Sequence, residues 1–167
     1  VGDLSHAVAT TEIDATGRAV APGFINVLSW AGVSLIADGR GMSDLKQGVT
    51  LEIMGEGDSG GPLNEAMKAR WLAKQGDVKF PIDWTSFGGF LDALVRRGIS
   101  PNVASFVGAT TVREYVLGED DVDPTPAQLA QMQDLVRQSM REGALGVGSS
   151  LIYAPAYFAE TPEPGES

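Results

Sequence analysis

The groups most able to do chemistry in this chain stand where an apolar run gives way to glycines. Residues 55–61 read Gly-Glu-Gly-Asp-Ser-Gly-Gly and follow directly on the apolar run 49–54. Glycines let a ligand come close to the backbone, and Glu56 and Asp58 stand among them. Three fates are open to Glu56: an oxygen ligand for a cation, a general base if its neighbours set its pKa, or a solvated loop carboxylate. Other apolar runs end in polar groups as well. The first ends in Asn26, Ser29 and Trp30, the third in Thr110, Thr111 and Arg113, and the last in Ser149, Ser150 and Tyr153. Arg113 suits a bidentate clamp on a substrate carboxylate, or an ion pair with Glu114 or Glu119. Tyr153 suits a substrate contact or packing under Pro155, and its hydroxyl needs a partner either way. His6 is the one histidine and cysteine is absent, which excludes a thiol nucleophile, a thiolate zinc site and a disulfide framework. His6 precedes the first apolar run and reads as a solvated side chain.

Residues 57–63, Gly-Asp-Ser-Gly-Gly-Pro-Leu, copy the nucleophile segment of chymotrypsin-like serine proteases letter for letter. That chemistry needs a histidine base and a buried aspartate set against the serine on a double β-barrel. His6 is the only base available, and the helical patterns around the motif do not suit an all-β fold. The protease reading is rejected.

Short apolar runs alternating with amphipathic segments must position these groups. Strands are expected over 24–29, 49–54, 102–107 and 145–153, and helices over 42–47, 64–74 and 84–97. Phe87, Phe90, Leu91, Leu94 and Val95 share roughly one face of the last of these. The best-specified helix spans 126–142. Thr125 can cap it, Pro126 suits its first position, Gln128 completes a capping box, and Gly143 ends it. Leu129, Met132, Val136 and Met140 form its expected core face. Residues 12–15 and 19–21 flank a Thr16-Gly17 turn and suggest the edge of a small antiparallel unit. Strands alternating with helices imply βαβ units, hence an α/β fold with a parallel sheet.

Composition narrows the partners. With 167 residues, 43% of them hydrophobic and 20% charged, the chain can build one core of ordinary domain size. A formal net charge of −10 excludes a phosphate-tracking nucleic-acid binder, which needs a Lys/Arg stripe. No apolar window reaches membrane-spanning length, so no membrane partner is expected. The chain begins with valine, and the N-terminus of the protein is expected to be missing. The compartment, cytoplasmic or periplasmic, is therefore open.

Several tracts in order resemble the N-terminal part of the D-aminoacylase (N-acyl-D-amino-acid deacylase) branch of the amidohydrolase superfamily. They are residues 2–5, 13–25, 47–52, 86–94, 102–108, 142–146 and 151–153. The resemblance implies a partial TIM-type (β/α) barrel of about four strand-helix units, preceded by a short β-sandwich segment. Residues 1–21 would belong to the sandwich, 22–159 to the N-terminal half of the barrel, and 160–167 to a flexible tail or truncation point. A complete barrel has eight strands and typically ~250 residues. The implied function is hydrolysis of an amide C–N bond in an N-acyl (D-)amino acid or related small amide, by metal-assisted attack of water. Tyr153, Ser149 and Glu56 are the expected substrate-binding residues, at C-terminal strand ends. The family's metal-ligand places are occupied by Leu28, Trp30, Gly57 and Ala109, none of which binds zinc. This segment is thus expected to hold no metal, with zinc in the complete protein left to residues beyond it. The alternative is a catalytically inactive amidohydrolase-like binding protein that has lost the His-x-His metal site. Half a barrel also exposes strand edges, so self-association is expected.

Overall fold

A computed structural model describes residues 2, 3, 6–120 and 122–150. In chain order the elements are β1 (Phe24–Asn26), α1 (Gly32–Ala37), α2 (Met42–Leu45), β2 (Val49–Met54), α3 (Glu65–Lys74), α4 (Phe87–Arg97), β3 (Asn102–Ser105), β4 (Val107–Gly108), α5 (Ala109–Leu117), α6 (Pro126–Arg141) and β5 (Val147–Gly148). All strand pairs are parallel: β1 with β2, β2 with β3, and β4 with β5. The α/β class and parallel pairing are as the alternating pattern predicts. Within each sheet strand order follows chain order.

Strand β2 has the expected bounds, whereas its neighbours are shorter than the apolar runs suggest. Beyond Asn26 the ladder lapses and then resumes where Ser29 N donates to Ile53 O at 2.8 Å. Residues 102–107 are not one strand. Phe106 N still donates to Met54 O, but Val107 N turns to Gly146 O on the other side, so β3 pairs backward and β4 forward. Of the run 145–153, Val147–Gly148 is strand, and residues beyond 150 lie outside the described set.

Helix starts follow their caps. Asn64 accepts from Met67 N, Ser86 from Gly89 N, and Thr125 from Gln128 N in a complete capping box. The expected start at Trp84 moves to Phe87 because Ser86 caps there. Trp84 instead packs in the core and donates its indole N–H to Gly60 O at 2.6 Å. Helices α1 and α5 were not expected from the pattern. Both are short, and α5 follows β4 with no loop between.

The main core lies between the sheet and the helices. Leu35, Met54, Leu63, Met67, Trp84, Phe90 and Leu94 form one buried cluster, and Phe87, Val107, Val112 and Ala144 form a second. Two expected faces need correction at their ends. Val95 on α4 is 68% exposed, and Leu129 and Met140 on α6 are 47% and 45% exposed. Of the named α6 face Met132 and Val136 pack on the second cluster, with Leu135 beside them, and Leu129 and Met140 do not.

Near the N-terminus the Thr16-Gly17 turn forms, with Thr16 N donating to Asp14 Oδ1 and Arg18 N to Ala15 O. The antiparallel edge does not. Among the described residues before β1 no strand is present, and Val8, Ile13 and Val20 stand exposed without a sheet to cover them. None of the described helices is long and apolar enough to cross a membrane.

Candidate functional site at the strand ends

Parallel strands place their C-terminal ends together, and the segments leaving β1, β2 and β5 converge there, with α5 starting directly from β4 beside them. Alternation along β2 turns Glu52 and Met54 towards the helices and leaves Leu51 and Ile53 on the opposite face. A mouth cleft of about 230 Å³ opens on that opposite face, lined by Val27, Leu28, Ile53, Glu56, Phe106 and Ser149. The structure therefore brings together Glu56 and Ser149, two of the three expected substrate-binding residues. Tyr153 and Pro155 lie outside the described residues.

The second loop is rigidly tied. Gly57 has a left-handed φ of 73°, and a Cβ there would come within 2.7 Å of Ser150 Cβ. Gly57 O accepts from Thr110 N at the start of α5. Ser59 is buried inside a net of its own. Its backbone N donates to Thr111 Oγ1 at 2.8 Å, its Oγ donates to Gly61 O at 2.6 Å, and that Oγ accepts from Gly108 N at 2.9 Å. A hydroxyl so engaged, with no base beside it, fastens the loop to β4 and α5. It is no nucleophile.

Glu56 differs from a fully solvated carboxylate, since its Oε2 is buried and has no hydrogen-bond partner. Ser150 Oγ is likewise buried and unpartnered. Desolvation raises the Asp58 pKa above the ordinary carboxylate value. Glu114 is raised too, first by burial and then by the charge of Asp58, against the lowering effect of Arg70. Arg70 bridges Glu114 at 3.0 Å and Glu119 at 3.2 Å.

Arg113 overturns both of its expected roles. It is 4% exposed and donates to the backbone oxygens of Asp120 and Val122, so it clamps the chain after α5 and pairs with neither Glu114 nor Glu119. Asn26 accepts from Leu28 N in a local turn, and His6 is exposed as expected. Glu52 was missed. It is 1% exposed, and Ser29 Oγ donates to its Oε2 in a short hydrogen bond, while its Oε1 has no partner. A glutamate inside the run Val-Thr-Leu-Glu-Ile-Met was the available signal, because a strand covered on both faces rarely carries one.

The metal implied by the resemblance does not fit these walls. Leu28 and Trp30 offer no donor at the end of β1, nor does Gly57 after β2. Among the described residues no group of three His, Cys, Asp or Glu side chains gathers as a ligand set. What remains is a carboxylate, hydroxyls and apolar walls that can bind and orient a small molecule.

The chain was compared with known proteins. It is 34% identical to a D-aminoacylase of Alcaligenes xylosoxydans xylosoxydans over 98% of its own length and 34% of that protein's. It is 33% identical to an N-acyl-D-aspartate deacylase of the same organism, over 98% of the chain and 33% of that protein. Among solved structures, a D-aminoacylase studied for its binuclear metal centre superposes with a TM-score of 0.77 at 30% identity, covering 93% of this chain and 33% of that one. The N-acyl-D-glutamate deacylase of Bordetella bronchiseptica, complexed with zinc and a phosphonate inhibitor, gives 0.77 at 27% identity, over 93% of this chain and 32% of that one. No family model matches. The chain spans about a third of the length of the curated relatives it matches.

Proposed function

This chain is a homologue of the D-aminoacylases along nearly its whole length, and on that premise we propose that its protein hydrolyses the amide C–N bond of an N-acyl-D-amino acid. The observation that carries the proposal is the likeness to the D-aminoacylases over nearly the whole chain, and the mouth cleft at the C-terminal strand ends is where a small amide would lie. In this reading residues 22–159 belong to the N-terminal half of a barrel and contribute pocket wall. Glu56 and Ser149 contact substrate, and Tyr153, outside the described residues, is the third expected contact. Among the described residues no ligand set for a metal gathers in these walls.

The test is hydrolysis of N-acetyl-D-amino acids by the full-length protein, followed by amine release, with the L-enantiomers as control. Turnover of the D-series supports the proposal, and no turnover of any N-acyl amino acid overturns it. Within an active protein, Tyr153→Phe should lower kcat/KM more than a folded Ser59→Ala variant does. Equal, wild-type kinetics for both would remove Tyr153 from the site.

A second reading is favoured by Leu28 and Trp30. Leu28 lines the mouth cleft and Trp30 the neighbouring one, in the places where the resembling family carries metal-binding histidines. In this reading the protein binds the same small amides without cleaving them. Binding of N-acetyl-D-amino acids with no turnover distinguishes it.

A further inference from the structure

Beside the mouth cleft lies another of about 240 Å³, between α1, the loop after β2 and α3. Trp30, Trp71, Phe90 and Ile36 line it, together with Glu56 and Asp58, and Glu56 is common to both clefts. Apolar walls alone would accept any hydrophobic group. The polar content of the cleft is more selective. Glu56 lines the cleft and its Oε2 is buried without a hydrogen-bond partner, so a cationic occupant beside this carboxylate offsets its desolvation, whereas an aliphatic one leaves it uncompensated.

The surrounding charge is negative. Asp58 is near enough to Glu114 for their charges to oppose one another. Arg70, the cation beside them, is already engaged by Glu114 and Glu119. Indole faces such as those of Trp30 and Trp71 also attract cations more than neutral groups.

We propose that this cleft binds an organic cation on an apolar stem, and that its occupant is the side chain of a basic N-acyl amino acid of the lysine or arginine type. The stem would lie along Trp30, Trp71 and Phe90, and the cationic head would donate to Glu56. Entry is from the mouth cleft across the shared Glu56 wall, so the amide stays at the strand ends. The identity of this occupant rests on the N-acyl amino acid reading above; the preference for a cation does not.

Binding of N-acetyl-D-lysine and of its neutral counterpart N-acetyl-D-norleucine to the full-length protein, by tryptophan fluorescence and calorimetry, tests the proposal without turnover. N-acetyl-D-lysine should bind tighter by about tenfold, the scale of one charge-assisted contact in a partly dry site. Glu56→Gln should erase most of that margin, and Trp30→Ala, at an exposed position, should weaken the lysine compound while leaving the fold intact. Equal affinity for the two compounds overturns the proposal, as does a margin that survives both substitutions. Butylammonium binding as tightly as N-acetyl-D-lysine overturns the assignment to a substrate side chain. Loss of hydrolysis alone leaves these affinities readable and bears only on the enzymatic reading.

Discussion

Ser59 and Asp58 are adjacent residues with opposite consequences. Ser59 holds Gly108 N, a buried backbone donor, and removing its hydroxyl orphans that donor. Ser59→Ala should therefore cost about 1–3 kcal/mol in denaturant unfolding. The wild-type serine should also take no label from a fluorophosphonate probe, since no base activates it. Selective labelling at Ser59 would revive the protease chemistry rejected above. Asp58 carries the opposite sign of effect. Its pKa in the fold lies above the ordinary 3.8, so between those two values the folded state holds more protons than the unfolded chain. Stability from this group is thus intact at acid pH and falls as pH rises through the raised value. Asp58→Asn removes the penalty, and its melting temperature should gain on the wild type as pH moves from acid to neutral. A constant difference between the two proteins across that range would show that Asp58 is not desolvated.

Elements are held by caps and by a few buried rings. Helix α6 begins with a complete capping box, in which Thr125 serves the N–H of Gln128 and Gln128 serves that of Thr125. Thr125→Ala should cost about 1 kcal/mol, a value typical of a lost N-cap. Phe87 opens α4 and is fully buried between the sheet and α6. Phe87→Ala should cost about 3–5 kcal/mol through lost burial and the cavity left behind. Leu129→Ala, on the exposed end of α6, should stay within about 0.5 kcal/mol. Chemical unfolding of the three variants checks the order. A Leu129→Ala cost matching that of Phe87→Ala would place the α6 face against a core that the structure does not show.

On the scale of the whole chain, one side of the sheet is finished and the other is not. The helix side carries both buried clusters, while Ile25, Val27, Leu28, Leu145 and Val147 are each at least half exposed along the opposite face and its ends. Among the described residues β2 is the one strand paired with β1, which leaves the other edge of β1 open. Open edges and apolar faces favour association, which a net charge of −10 opposes only at a distance. Expressed alone, the 167 residues should sediment as dimers or larger species and unfold over a broad range. A monomer with one sharp transition would mean that the exposed face needs no cover.

What could be read from residue order was what is decided within a few positions. Thr125, Pro126 and Gln128 announce the start of α6, Gly143 with its left-handed φ ends that segment, and the six apolar-rich residues of β2 stand between glycines. The order of short tracts also carried the resemblance that the comparisons support. Partners far away in sequence were not legible. Ser29 and Glu52 are 23 positions apart, Ser59 and Gly108 49, and Ser59 and Thr111 52. Periodicity reports which face of an element is apolar and leaves open how much of that face is covered, so Leu129, Met140 and Val95 remained for the packing to decide. Arg113 makes the same point most sharply. Glu114 is next to it in sequence and Glu119 six positions on, yet its guanidinium is taken by two backbone oxygens that only the path of the chain after α5 brings within reach. Hydrogen bonds are short-ranged and directional, so the tertiary fold, and not residue type, settles which donor meets which acceptor.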